Sequence, residues 1–320
     1  MEVHFIINEK AGNGKGKKVW NKFKDQLTIP FFEHFTQYSG HALQLAHSIT
    51  HKLVEENREG LLIAVGGDGT IHEIINGITM PSNIYVGYVK AGSGNDYSRA
   101  YHTFVSAYEI EQFVQNPIGI KMDCGQMFYN NNESKKFVNN AGVGFDAFVA
   151  RKVNGSKTKK YFNKIGLGKL SYGFATIVAL FKFKRFDVEV IVDGKQYKFR
   201  KSWFVTVSNQ PYFGGGMKLS PKSKANDQQF EITIVHNLSH MKLLFLFMTV
   251  FTGSHTSLPE VTQLKGTEFQ VQVKDPLYLH ADGEIIGLTT EQNNTITYKI
   301  LNESWTSVNI NINSTQNDKF

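Results

Sequence analysis

The chain has 320 residues, 41% of them hydrophobic, a formal net charge of +7 and a single cysteine, Cys124. That length is more than one ordinary core needs and predicts two domains, while a lone cysteine excludes an intramolecular disulfide framework and fits a reducing cytosol. The positive charge favours an anionic partner, whether nucleotide, nucleic acid or anionic lipid surface, without choosing among them.

Residues 3–7 predict a first strand, with neither the basic start nor the small-residue cleavage site of a signal peptide before it. The glycine- and lysine-rich stretch 8–18 leads from it into a helix bearing Val19, Trp20, Phe23 and Leu27, and is a candidate phosphate contact. It lacks the Walker spacing Gly-x-x-x-x-Gly-Lys-Ser/Thr. Residues 31–38 supply a second strand and 41–56 a helix with Leu43, Ala46, Ile49 and Leu53 on one face. His41, His47 and His51 on that helix have no metal-type partners and read as surface residues.

Residues 61–65 are a short apolar run of the kind that a parallel sheet covers on both faces. The run stops at Gly66. Beyond Gly67, Asp68, Gly69 and Thr70, isoleucines recur at helical spacing, leaving Asp68, Thr70, Glu73 and Asn76 to face a nucleotide. Gly66, Gly67 and Gly69 would let amide N–H groups approach phosphate oxygens, and the helix N-terminus adds partial positive charge. Asp68 would repel a phosphate, which implies a Mg²⁺ between them; a plain strand-to-helix turn capped by Asp68 or Thr70 is the alternative. A further strand at 84–89 runs into a second glycine loop at 91–99, carrying Gly92, Ser93, Asn95, Asp96 and Arg99. Two such loops one βαβ unit apart would sit side by side at the carboxyl edge of the sheet. The pattern to this point is an α/β domain over residues 1–120 with a mostly parallel sheet.

After Asn116-Pro117 the chain reads as strands at 119–124, 136–141, 187–192, 196–207, 230–235, 269–273, 278–280 and 295–300, with a hairpin turn at Asp193-Gly194 and one helical interruption at 169–183. This predicts an antiparallel, sandwich-like β domain over residues 121–300, with 301–320 returning to the first domain. The basic stretch 151–164, interleaved with aromatics, fits either anionic phospholipid headgroups, at about 1 kcal/mol per cation, or a solvated loop. No nucleic-acid reading motif accompanies it. The longest apolar run, residues 241–251, contains Lys242 and has about half the ~20 residues a transmembrane helix needs. An exposed edge strand of the β-rich domain is a candidate homodimer surface.

Gly-Gly-Asp-Gly-Thr at 66–70, followed by Gly-Ser-Gly-Asn-Asp-x-x-Arg at 92–99, resembles the diacylglycerol kinase catalytic domain shared by bacterial soluble lipid kinases, sphingosine kinases and ceramide kinases. The resemblance runs nearly the length of the chain. It implies transfer of the γ-phosphate of ATP, with Mg²⁺, to the hydroxyl of diacylglycerol or a related lipid, by a cytoplasmic enzyme touching the membrane surface, in a cleft between the two domains. Asn8 and Gly12 match a segment that borders the nucleotide, although Glu9 stands where the family has proline. Asp68, Asp96 and Asp123 match carboxylates around the catalytic Mg²⁺ and nucleotide.

Glu284, in Asp-Gly-Glu at 282–284, matches the family's general base, and Asp282-Gly283 is also a turn signal in its own right. Partial desolvation in a cleft would suit such a carboxylate to accept a proton near neutral pH. Asp227 matches the aspartate of a structural Mg²⁺ site, with Gln228 in place of the usual glycine. The segments 139–146 and 209–216 match family stretches that shape the cleft. An NAD kinase also carries Gly-Gly-Asp-Gly-Thr, but the Gly-Ser-Gly-Asn-Asp loop and Asp-Gly-Glu weigh against it. A catalytically silent nucleotide- or lipid-binding regulator on the same scaffold is the remaining alternative.

Overall fold

The computed structural model describes residues 1–79, 83–130, 133–154 and 178–310. The basic stretch from residue 155 onward and the first part of the helix expected at 169–183 lie outside the described residues. The chain divides into two compact units, one of Met1–Met122 with Ser304–Phe320 and one of Asp123–Glu303.

The first unit runs β1 (Glu2–Ile7), α1 (Ala11–Lys24), β2 (Phe32–Phe35), α2 (His41–Glu55), β3 (Gly60–Gly66), α3 (Asp68–Gly77), β4 (Ile84–Lys90), the short α4 (Tyr97–Ala100) and α5 (Ala107–Gln115). Its strands pair in parallel in the order β2-β1-β3-β4. Every residue of β3 is buried, which is why this strand reads as a continuous apolar run rather than an alternation. Phe5, Trp20, Ile63, Val65 and Phe113 belong to one core cluster. On α2 the buried apolar positions are Ala42, Ala46, Ile49 and Leu53, whereas Leu43, expected among them, is exposed. The strand order changes direction between β1 and β3, the kind of switch point at which open α/β sheets bind ligands beyond their carboxyl ends.

The second unit contains most of β5 (Gly119–Tyr129), then β6 (Glu133–Phe137), β7 (Asn140–Gly144), α6 (Phe145–Asn154), β8 (Phe186–Val192), β9 (Lys195–Ser202), β10 (Phe204–Ser208) and β11 (Phe230–Val235). There follow α7 (His240–Thr249), β12 (Val261–Gly266), β13 (Glu268–Val273), β14 (Tyr278–Ala281), β15 (Glu284–Leu288) and β16 (Thr295–Val308). An antiparallel sheet has the order β12-β11-β10-β7-β14-β15. The start of β16 continues antiparallel through β13 and β8 to β9. Side chains of both sets of strands, among them Val143, Val190, Val205, Phe230 and Val271, share one apolar core, as in a sandwich. The end of β16 returns to the first unit, pairing parallel with β4 at Thr306 and Tyr85.

Two stretches expected as single strands are each two. Residues 136–141 divide between β6, which pairs with β5, and β7, which pairs with β10. Residues 196–207 divide between β9 and β10 at Trp203, and Lys201, two residues before it, takes a left-handed φ of 51°. The apolar run 241–251 is largely α7, and among the described residues no helix is long and apolar enough to cross a membrane.

Candidate active site

In the first unit, β1, β3 and β4 end level with one another, Ile7 beside Val65 and Gly66 beside Lys90. Three loops therefore leave the same edge of the sheet. The Asn8 N–H donates to the Val65 carbonyl at 2.9 Å and the Ala91 N–H to the Gly66 carbonyl at 2.7 Å, so strand pairing extends one residue into the loops. Gly12, Asn13 and Gly14 take left-handed φ values of 58°, 60° and 88° at the start of α1. Gly12 has no room for a side chain, because a Cβ would stand 2.3 Å from the Ala91 carbonyl oxygen. The Asn8 side chain joins the first loop to the second, donating to Thr70 Oγ1 at 3.3 Å and accepting the Lys10 N–H at 3.1 Å. Gly67 and Gly92 pack α-carbon against α-carbon.

Asp68 opens α3, where the Thr70 N–H already donates to the Gly67 carbonyl at 3.0 Å and the N–H groups ahead of it lie before the first intrahelical acceptor. Its Oδ1 accepts the Tyr97 N–H at 3.0 Å, and a Cβ on Gly94 would stand 2.8 Å from its Oδ2, so the second glycine loop folds across this carboxylate. Asp96, next to Tyr97 in the chain, pairs with Arg99 at 3.2 Å. Asn95 sits between Gly94 and Asp96 with a left-handed φ of 56°, and its Oδ1 is buried with no hydrogen-bond partner among the described residues. A buried acceptor left unpaired costs about 1–3 kcal/mol, which a ligand donor or cation would offset. The second glycine loop, folded over Asp68, carries oxygens of Asn95, Asp96 and exposed Ser93, all of the hard kind that a divalent cation such as Mg²⁺ takes. Tyr88 donates to the Gly66 carbonyl at 3.0 Å, and burial, then the nearby Asp68 charge, pushes its phenol far up.

Glu73 differs from expectation. Its two carboxylate oxygens accept the N–H groups of Gly40 at 2.9 Å and Ala42 at 3.1 Å, so it closes the start of α2 instead of facing a nucleotide. Asn76, expected beside it, donates to the His72 carbonyl one turn back at 2.8 Å. Asp123 belongs to the second unit, is buried, and accepts the backbone N–H groups of Gln228 at 2.8 Å and Glu303 at 2.9 Å. Asp227 is held by Lys265, whose ammonium lies 2.7 Å from its Oδ2. The bend expected of glycine survives at Gln228, which takes a φ of 59° at about 1–2 kcal/mol of strain. Among the described residues, no three His, Cys, Asp or Glu side chains gather as a metal-binding group.

In the second unit, Asp282 and Gly283 turn β14 into β15 with φ values of 47° and 82°, the two left-handed residues of a tight hairpin. The Asp282 carboxylate accepts the N–H groups of Val138 at 2.7 Å, Asn139 at 2.8 Å and Asn140 at 2.9 Å, which locks the hairpin to the start of β7. Glu284 follows at once, 47% exposed, 3.3 Å from Lys135. It is solvated and ion-paired rather than enclosed in an apolar pocket, so any desolvation would have to come from a bound substrate. Asn209, in one of the expected cleft-shaping segments, donates to the Asp123 and Val138 carbonyls at 2.9 and 2.8 Å.

One buried polar cluster has no signature in the sequence. Asp146 Oδ2 lies 2.8 Å from His280 Nε2 and accepts the Thr206 hydroxyl at 2.7 Å, while Oδ1 accepts the Ala147 N–H at 2.8 Å. Burial pushes the Asp146 carboxyl up, but His280, Thr206 and Ala147 together outweigh it and hold it below its ordinary value. These residues come from α6, β10 and β14, and no local spacing announces such a contact.

Residues 2–127 match the family model described as the diacylglycerol kinase catalytic domain, and residues 139–300 that of the YegS C-terminal NAD kinase beta sandwich-like domain. The chain is 33% identical over 291 residues to the "Putative lipid kinase YtlR" of Bacillus subtilis (strain 168), covering 89% of this chain and 94% of that one. It is 28% identical over 278 residues to a diacylglycerol kinase of the same organism, covering 85% and 88%. In fold it is similar to the "Crystal structure of a putative diacylglycerol kinase from Bacillus anthracis str. Sterne", with a TM-score of 0.72, 21% identity, and coverage of 97% and 98%. The chain belongs to the diacylglycerol kinase catalytic-domain family and is a lipid kinase.

Proposed function

We propose that the protein transfers the γ-phosphate of ATP to the free hydroxyl of diacylglycerol or a closely related lipid at the cytoplasmic face of a membrane. The observation that carries this reading is the meeting of three loops at one sheet edge: Asn8 bonded to Thr70, Gly67 packed on Gly92, and Asp68 bound to the Tyr97 N–H. Phosphoryl transfer asks a protein mainly for positioning and charge compensation. In this reading the phosphates lie over Gly66, Gly67, Gly69 and Gly92 against the first turn of α3. Asp68 and Asp96 hold Mg²⁺, with Asn95 and Ser93 as further oxygen donors, and bound Mg²⁺ supplies charge neutralisation on the phosphate oxygens. Asp123 and Asp227 act as struts of the second unit, given their partners Gln228, Glu303 and Lys265.

Glu284 is the base in this proposal. It takes the lipid hydroxyl proton as that oxygen bonds to the γ-phosphorus; the bond to the bridging oxygen breaks, and ADP departs with the electron pair. The test is turnover of purified protein with labelled ATP and Mg²⁺ against diacylglycerol micelles, a panel of other hydroxyl lipids, and NAD. Labelled phosphatidic acid from the diacylglycerol arm is the expected result. Label only in NAD would move the protein to NAD kinase chemistry, and no lipid-dependent ATP consumption in any arm would leave a silent regulator.

A further inference from the structure

The solvent-facing side of α7 is apolar. Met241, Phe245 and Met248 recur at i, i+4 and i+7 and are 55%, 68% and 75% exposed, and Phe251 just beyond is 54% exposed. The opposite side of the helix, through Leu243 and Leu246, is buried. A surface helix ordinarily puts polar residues on its outer face, and scattered single apolar residues need no explanation, whereas a contiguous run of large ones marks an interaction site. The patch continues onto a neighbouring segment: Phe181, 61% exposed, stacks on His240 with ring centroids 5.9 Å apart. Exposed Lys182 follows Phe181, exposed Lys184 comes after buried Phe183 and lies 3.8 Å from Asp275, and Lys242 rises from α7 itself, paired with Glu260 at 3.0 Å.

We propose that this face of α7, with Phe181 beside it, is the surface by which the second unit inserts into an anionic membrane; the inference rests on the lipid-kinase reading and deepens it. A phenylalanine- and methionine-lined helix face rimmed by lysines is the arrangement that lies in a bilayer interface, apolar side chains among the acyl chains and cations at the headgroups. A second copy of the chain is a poorer occupant. A two-fold contact sets a patch against itself and would bring Lys182 and Lys184 towards their own counterparts. The enzyme's lipid substrate resides in a membrane, so a surface that seats the β-rich unit there shortens the substrate's path to it.

The test uses the full chain without ATP, mixed with phosphatidylcholine vesicles with and without phosphatidylglycerol. The triple variant Met241→Gln, Phe245→Gln, Met248→Gln should lower partitioning onto phosphatidylglycerol vesicles at least about tenfold, the loss of roughly one buried apolar side chain or more. The control Phe32→Gln, Tyr108→Gln, which removes comparably exposed aromatics from the first unit, should partition like the parent. In Phe245→Trp the added tryptophan emission should be quenched by vesicles with brominated acyl chains. Unchanged partitioning of the triple variant, or no added quenching, overturns the proposal. A parent that sediments as a dimer and a triple variant that sediments as a monomer with vesicle binding intact would make the face a self-contact and also overturn it. Turnover on dispersed short-chain diacylglycerol is read separately: a parent inactive there undermines the kinase reading, while the vesicle result stands or falls by itself.

Discussion

Gly67 and Gly92 are packed so closely that a Cβ on Gly92 would stand 2.5 Å from the Gly67 α-carbon, whereas a Cβ on Gly69 would meet nothing within 4 Å. The two positions separate packing from ligand binding. Gly92→Ala should push the glycine loops apart, lowering stability by about 1–3 kcal/mol as overpacking does and abolishing ATP binding. Gly69→Ala adds a methyl in open space on a helical turn, so its melting midpoint should hold while ATP affinity falls about tenfold or more where the phosphates lie over that turn. Thermal denaturation and calorimetric titration read both. Unchanged ATP affinity in Gly69→Ala would move the phosphates elsewhere.

Asp68 does two things that a pair of substitutions can divide. In Asp68→Asn the amide oxygen can still accept the Tyr97 N–H now bonded at 3.0 Å, so only the charge is lost. The variant should keep its melting midpoint and lose about 10²–10³ in kcat, the usual effect of removing one electrostatic element of an active site. Asp68→Ala should lose as much turnover and a further 1–3 kcal/mol or so of stability, because the 3.0 Å bond from the Tyr97 N–H is lost. Retained turnover in Asp68→Asn would remove this residue from the chemistry.

Asp282 and Glu284 are two residues apart on one hairpin and should respond oppositely. Asp282→Ala strips the acceptor from three N–H groups at 2.7–2.9 Å, and a loss of about 3 kcal/mol or more is expected, visible in urea denaturation. Glu284→Gln keeps shape and hairpin, so stability and ATP affinity should stay near the parent while kcat falls about 10²–10⁴, the share a general base supplies. A Glu284→Gln enzyme with parental kcat would place the proton acceptor elsewhere.

The parts of this architecture legible in the sequence are those that local chemistry decides. A run buried on both faces gives a continuous apolar strand, as at β3, and Asp193-Gly194 marks its hairpin through left-handed φ values of 45° and 84°. Strands that change sheets are invisible to periodicity, because Tyr197, Phe199, Val205 and Val207 share one parity on either side of the break at Trp203. β12 has no apolar signature in the sequence because Thr262, Gln263 and Lys265 make it polar, as edge strands are. Among the site candidates, glycine loops declare themselves by composition. Carboxylates do not, since Glu73 and Asp227 look free in the sequence and take partners 31–38 residues away.

The buried pair of Asp146 and His280 carries a prediction about acid stability. The free carboxyl titrates near 3.8, and in the folded chain it lies below that because His280, Thr206 and the Ala147 N–H outweigh the opposing effect of burial. The unfolded state therefore binds a proton at higher pH than the folded state does, so Asp146 contributes stability that is present above about pH 4 and lost as pH falls through its folded value. In Asp146→Asn that contribution is gone at every pH. The variant should be about 1–3 kcal/mol less stable at neutral pH, the cost of weakening buried hydrogen bonds to a charged acceptor, and its stability should fall less steeply than the parent's below pH 4. Urea denaturation from pH 7 down to pH 3 measures both slopes. Parallel acid limbs for parent and variant would assign the acid sensitivity to other carboxylates and leave Asp146 a neutral strut.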